Sequence, residues 1–242
     1  MAKTMRAARW LMWLGIVGIG VSVVIAKVAS RKTVAEQLAT YGTSVDARLA
    51  PVFRASGIEY PPKQVGLVAF KRERVLEVYA GNSDGKYLFI KGYPILAASG
   101  TLGPKLREGD CQVPEGVYRI ESLNPNSLYH LSLRLNYPNK FDLQQARIEG
   151  RANLGGDIMI HGGSGSIGCL AMGDEAAEDL FVLAARVGIR NISIILSPVD
   201  FRVRDLPDRL APQPGWISVL YEDIRRALKQ YPIRKDDERS RA

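Results

Sequence analysis

From Gln64 onward the chain is a succession of short segments rich in β-branched and aromatic residues, and this constrains its fold more than any other feature. Residues 65–70 (VGLVAF), 74–80 (RVLEVYA), 86–91 (KYLFIK) and 94–98 (PILAA) are too short for helices and suited to strands. Asn82-Ser83-Asp84-Gly85 joins two of them as a turn, which predicts a hairpin. Further strand-like stretches lie at 117–121, 129–135 and 157–161. No regular strand–helix alternation runs through them, so a doubly wound parallel sheet is disfavoured. A mainly β, mainly antiparallel domain with a few helices is expected. One helix is clear, from Asp174 to Val187. Asp174, Glu175, Glu178 and Asp179 favour its positive end, and Ala177, Leu180, Phe181, Ala184 and Val187 form one apolar stripe before Gly188 stops it. A strand at 191–196 follows. After Pro198 come a Pro-rich stretch (207–215), an amphipathic helix (216–229) and a charged tail. Trp216, Val219 and Leu220 on that last helix suit packing better than partner binding.

The N-terminal 30 residues differ from the rest. Lys3, Arg6 and Arg9 precede Trp10 to Ala26, seventeen residues without a charge, and Lys27 and Arg31 follow. The run is apolar on every face, which suits a membrane or targeting segment and not a buried helix of a soluble body. An uncleaved single-pass anchor across the cytoplasmic membrane is favoured; Val28-Ala29-Ser30 would serve as a cleavage site giving an exported soluble form. Positive charge ahead of the span puts the N-terminus in the cytoplasm and the body outside, in the periplasm. Residues 33–56 read as helical, interrupted by Gly42 and Pro51, within a linker (31–62) that lifts the body off the membrane. The expected division is therefore 1–30 anchor or signal, 31–62 helical linker, 63–200 main domain and 201–242 C-terminal extension.

The formal net charge is +8, but residues 1–30 hold four of the 33 Lys and Arg and none of the 25 acids. The remaining excess of +4 is spread over a body rich in both signs and does not form the basic stripe of a nucleic-acid binder. It is compatible with an acidic or carboxylate-bearing substrate. Two histidines and two cysteines do not suffice to make a structural zinc site the natural expectation. A lone pair of cysteines in an oxidising compartment is most often a disulfide, yet the neighbours of Cys169 argue for another role. Cys111, beside Gly109-Asp110, reads as a structural or incidental thiol; a Cys111–Cys169 disulfide would extinguish a nucleophile at Cys169.

Those neighbours lie in 157–174, DIMIHGGSGSIGCLAMGD. A short apolar strand ends at His161, a loop of glycines and serines follows, and Cys169 closes it. Gly162, Gly163, Gly165 and Gly168 let the loop curl back, so that His161 and Cys169 meet across it. An imidazole within reach activates a thiol as a nucleophile, and the thiolate should then stay reactive below the ~8.5 of a free thiol. Backbone N–H groups around Gly168 and Cys169 could face a developing oxyanion, and Ser164, Ser166 or a main-chain carbonyl could fix the imidazole tautomer. A glycine-rich loop can also cradle phosphate, but here no Lys or metal-binding hydroxyl stands where that would require it. The plain alternative is a buried small thiol beside a strand-end histidine.

The segment resembles the signature of the L,D-transpeptidase catalytic-domain (YkuD-like) family, in which His-Gly precedes Ser-x-Gly-Cys: here His161-Gly162 and Ser166-Ile167-Gly168-Cys169. Gly92-Tyr93-Pro94, Ser99-Gly100, Leu102-Gly103-Pro104-Lys105, Pro114-Glu115-Gly116, Tyr118, Leu123-Asn124-Pro125-Asn126-Ser127 and Tyr137-Pro138-Asn139 extend the likeness to its murein-transpeptidase branch over roughly 64–198. Two positions depart from the family. Ile167 stands where many members have a second histidine, which leaves His161 as the local base, and Ala171 stands where many have Arg or Asn.

The resemblance implies a sandwich- or barrel-like β domain acting on peptidoglycan stem peptides, with Cys169 as nucleophile, His161 as general base, Gly168 as oxyanion backbone, and Gly162 and Ser166 in the catalytic loop. Cys169 would attack the carbonyl on the L side of an L,D-bond at a diamino-acid residue and release the C-terminal D-residue. The thioester would pass to an amine, which cross-links wall or anchors a protein such as a lipoprotein, or to water; the branch also includes enzymes running towards cleavage of wall-attached protein. No metal or organic cofactor is implied. Alternation over 129–135 puts His130, Ser132 and Arg134 on one face and Tyr129 with the leucines on the other, making His130 and Arg134, with Lys105, candidate substrate contacts. Rival functions are a cysteine hydrolase using water only, an inactive wall-binding module and a phosphate-binding protein.

Overall fold

The structure is a computed structural model describing residues 31–82, 84–208 and 211–234. The expected anchor at 10–26 lies outside the described residues. Among those described, no helix is long and apolar enough to cross a membrane.

A nine-stranded mixed sheet organises the body. The strands are β1 (Val65–Phe70), β2 (Val75–Gly81), β3 (Tyr87–Pro94), β4 (Ala97–Ala98), β5 (Gly116–Ser127), β6 (His130–Leu135), β7 (Met159–His161), β8 (Leu170–Ala171) and β9 (Ile192–Ser197). Their order is β3-β2-β1-β9-β5-β6-β7-β8-β4. Six pairings are antiparallel, and β1–β9 and β7–β8 are parallel. The predominantly antiparallel, sheet-dominated expectation agrees with this architecture. β5 is the longest strand and joins the two halves, pairing with β9 at its start and with β6 towards its end.

Among the described residues four α-helices dress the sheet: α1 (Val34–Ala55), α2 (Lys140–Ile148), α3 (Asp174–Val187) and α4 (Ile217–Leu228). α3 has the predicted bounds, and its stripe is buried together with Val45, Leu49 and Phe53 of α1 against the sheet. Each of the Val, Leu and Phe side chains among them contributes about 1.5–3 kcal/mol on leaving water. Asp179 of α3 is fully buried and accepts from Tyr93, Arg48 and Lys91, which ties α1, α3 and β3 together. Leu220, Tyr221, Ile224 and Leu228 of α4 cover the opposite face over Val68, Phe70, Tyr79 and Ile195.

Two expectations need correction. The 33–56 segment is one continuous helix, capped at Thr33 and carrying both Gly42 and Pro51 inside it. A Cβ at Gly42 would lie 3.0 Å from the Arg186 guanidinium. The 31–62 segment is also not a free linker. It packs into the core, and Lys32 exchanges hydrogen bonds with the Asn126 side chain, so residues 31–234 belong to one compact unit.

Candidate active site

Register places the site. In β6, Leu131, Leu133 and Leu135 point into the core beneath α3, together with Ile160 of β7 and Leu170 of β8. Alternation sends their neighbours to the other face. Ser132 pairs with His161, Arg134 with Met159, and the parallel pairing of Ile160 with Leu170 continues back to set Cys169 beside Met159. His161, Ser132, Arg134, Met159 and Cys169 therefore share one face of the sheet.

The Met159 N–H donates to the Cys169 Sγ at 3.4 Å, and the thiol itself donates to the Asp157 carbonyl at 3.5 Å. His161 Nδ1 lies 2.6 Å from the Gly162 carbonyl. A carbonyl can only accept, so the proton sits on Nδ1 and Nε2 carries a free lone pair. Tyr129 stacks on the imidazole, with ring centroids 4.7 Å apart and planes 34° apart, and His161 is only 3% exposed.

Burial is the main influence on both ionisable groups. It pushes the Cys169 thiol up, against the Met159 N–H and with a smaller opposing effect of the Lys105 charge. It pushes the His161 imidazole down, against its hydrogen bond to Gly162. Both charged forms are disfavoured, so the resting pair is a thiol and a neutral imidazole.

The loop between His161 and Cys169 is held from several sides. The Ser166 hydroxyl donates to the Cys169 carbonyl at 2.7 Å and accepts from the Ser99 and Gly168 N–H groups. The Gly168 N–H is thus engaged at 3.3 Å, which leaves the Cys169 N–H as the neighbouring backbone donor for an oxyanion. Gly163 donates to Asp174 at the start of α3. Gly162 has no room for a side chain, because a Cβ would fall 2.5 Å from Asp174 Oδ1 and 2.8 Å from the Tyr129 carbonyl.

The remaining candidates scatter. His130 has a left-handed φ of 70°, contacts Glu178 at 2.9 Å and packs edge-on against Tyr41, away from the shared face. Lys105 is buried, its ammonium on Asp110 at 2.6 Å and on the Arg107 carbonyl, so it ties its own loop together and does not stand free for substrate. Arg134 stays on the shared face, paired with Glu121 and Asp157. Cys111 and Cys169 are both free, Cys111 being exposed. Tyr129, Ser132 and Asp157 are neighbours of the pair that the sequence did not single out. Among the described residues no cluster suited to a metal ion occurs.

The fold and this His–Cys loop define a class. The L,D-transpeptidase catalytic-domain model matches residues 64–194, and the chain belongs to that family. It is similar to YafK of Escherichia coli K12, 36% identical over 139 residues covering 56% of this chain and 54% of that protein. The chain thus spans about half the length of the curated relatives it matches. Among solved structures it aligns with the helical cell shape determining protein Pgp2 of Campylobacter jejuni, at 26% identity and a TM-score of 0.45 over 57% of this chain and 48% of Pgp2. Bd1075 of Bdellovibrio bacteriovorus aligns at 22% identity and a TM-score of 0.42, over 57% of this chain and 49% of that one.

Proposed function

We propose that the chain is a cysteine acyltransferase acting on peptidoglycan stem peptides at an L,D-peptide bond, with Cys169 as nucleophile and His161 as general base. Family membership supports transpeptidase chemistry on peptidoglycan. The observation that carries the residue assignment is the Nδ1–Gly162 hydrogen bond, which leaves the Nε2 lone pair on an imidazole sharing a sheet face with the thiol.

In this reading Nε2 takes the thiol proton as Sγ bonds to the carbonyl carbon on the L side of the scissile bond. The Cys169 N–H donates to the oxyanion. The C–N bond then breaks, the imidazolium hands its proton to the departing amine of the D-residue, and a thioester remains. An acceptor amine attacks that thioester, gives its proton to His161, and the C–S bond breaks to restore the thiol. The base works only when neutral, so kcat/KM falls on acidification through the His161 pKa. Burial sets that pKa below the ordinary ~6.5, and activity should persist correspondingly further into acid.

The address belongs to the same proposal: residues 10–26 hold the chain in the cytoplasmic membrane with the body on the wall side. Wall peptides, and a wall-attached lipoprotein, are then within its compartment.

Incubation with muropeptides carrying tetrapeptide stems, with and without an acceptor amine, followed by mass spectrometry, tests the reading. Loss of the terminal D-residue with amine incorporated is expected. Loss to water alone at every amine concentration would make the protein a hydrolase, and no change would contradict the enzymatic assignment.

A further inference from the structure

Leu128 and Tyr129 are the two turn residues between β5 and β6, flanked by the Ser127–His130 pair. The two point differently. Leu128 is 97% exposed and covers nothing, whereas Tyr129 is half-exposed and its ring packs at a 34° tilt against the His161 imidazole, with centroids 4.7 Å apart. The tip is anchored from behind: His130 is held by Glu178 of α3 and by Tyr41 of α1. From below it is fitted to the catalytic loop, where only a missing side chain at Gly162 admits the Tyr129 carbonyl. The tyrosine is therefore placed by three elements and not by the hairpin alone.

We propose that Tyr129 is a positioning residue for the reaction, its ring forming a roof that keeps water from the His161 imidazole and holds the plane in which Nε2 works. The inference rests on His161 as the base. Clamped between a stacked ring and the Gly162 carbonyl, the imidazole loses its rotational freedom before substrate arrives. The charged groups around it are Arg134 of β6, paired with Asp157, then Asp174 on the Gly163 N–H, and Glu178 on His130. Cys169 is neutral at rest. Burial is the leading cause of the depressed His161 pKa, and the Tyr129 ring is one of the groups packed against the imidazole.

The chain has two histidines, which makes the test direct. In the full-length protein with labelled histidine, the imidazole titrations of His161 and His130 are followed by NMR. Tyr129→Ala should raise the His161 midpoint towards the ordinary ~6.5, while Tyr129→Phe and Leu128→Ala match the parent. With muropeptide substrate, Tyr129→Ala should lower kcat about tenfold with KM within about twofold, and shift the acid limb with the midpoint. An unmoved midpoint in Tyr129→Ala, or an equal shift in Tyr129→Phe, would overturn the roof. A KM rise at constant kcat would make Tyr129 a substrate contact instead. A shifted midpoint with no effect on turnover would contradict His161 as the base, the reading beneath the proposal.

Discussion

The two halves of the sheet solve different problems. Across β2, β1 and β9 both faces are covered, by α1 and α3 on one side and α4 on the other, and the strands are largely apolar, with the buried Glu77 paired to Arg202 and Arg234. Across β6, β7 and β8 the leucines and isoleucines still meet α3, but the alternate positions are Ser132, Arg134, His161 and Cys169. Ser132 and His161 are already buried and hydrogen-bonded there, while Arg134 and Cys169 stay partly open. The site lies where α4 no longer covers the sheet. The same partial cover explains its electrostatics: Cys169 is shielded enough for its thiol to stay protonated, and His161 enough to stay neutral.

If chemistry belongs to one half and stability to the other, substitutions should separate along the same line. The largest effect is expected at Cys169. Cys169→Ala should abolish turnover, by at least ~10⁴-fold, with an unchanged melting curve, while Cys111→Ser keeps most activity. A Cys111→Ser protein as inactive as Cys169→Ala, yet normally folded, would break the assignment. The covered half offers the converse. Lys71 of the β1–β2 turn pairs at 2.9 Å with the fully buried Glu115, which also accepts from Tyr221 of α4. Lys71→Met strands that carboxylate and should cost about 3–5 kcal/mol of stability. Below the lowered melting temperature, kcat should change little. Thermal denaturation and turnover measured on one preparation check both halves; a large kcat loss in the still-folded Lys71→Met protein would mean the regions are not separable.

Legibility in the sequence follows the same physics. α3 was readable to the residue because acids, apolar stripe and terminal glycine all agree, and β1 because a six-residue apolar run allows little else. His161 and Cys169 were legible through the residues around them. Tyr129 was not: alternation through 129–135 sends it to the leucine side, but the turn ends before His130, whose positive φ breaks the phase and swings Tyr129 over His161. α2 went unseen behind Pro138, although Asn139 and Asp142 form a reciprocal cap that could have announced it. α1 ran on through Pro51 because its packing against α3 outweighs the break that local propensity suggests. Lys105 looked free because its partner, Asp110, is brought to it only by the fold of their loop.

The most direct test is covalent. The full-length protein is mixed with a tetrapeptide-stem muropeptide in the absence of acceptor amine, quenched in acid, and weighed intact before peptide mapping. The account predicts a mass increase equal to the donor less its terminal D-residue, as a hydroxylamine-labile adduct on Cys169, absent from Cys169→Ala and much slower to form in His161→Ala. An adduct confined to Cys111, or substrate consumed at the full rate by Cys169→Ala, would contradict it.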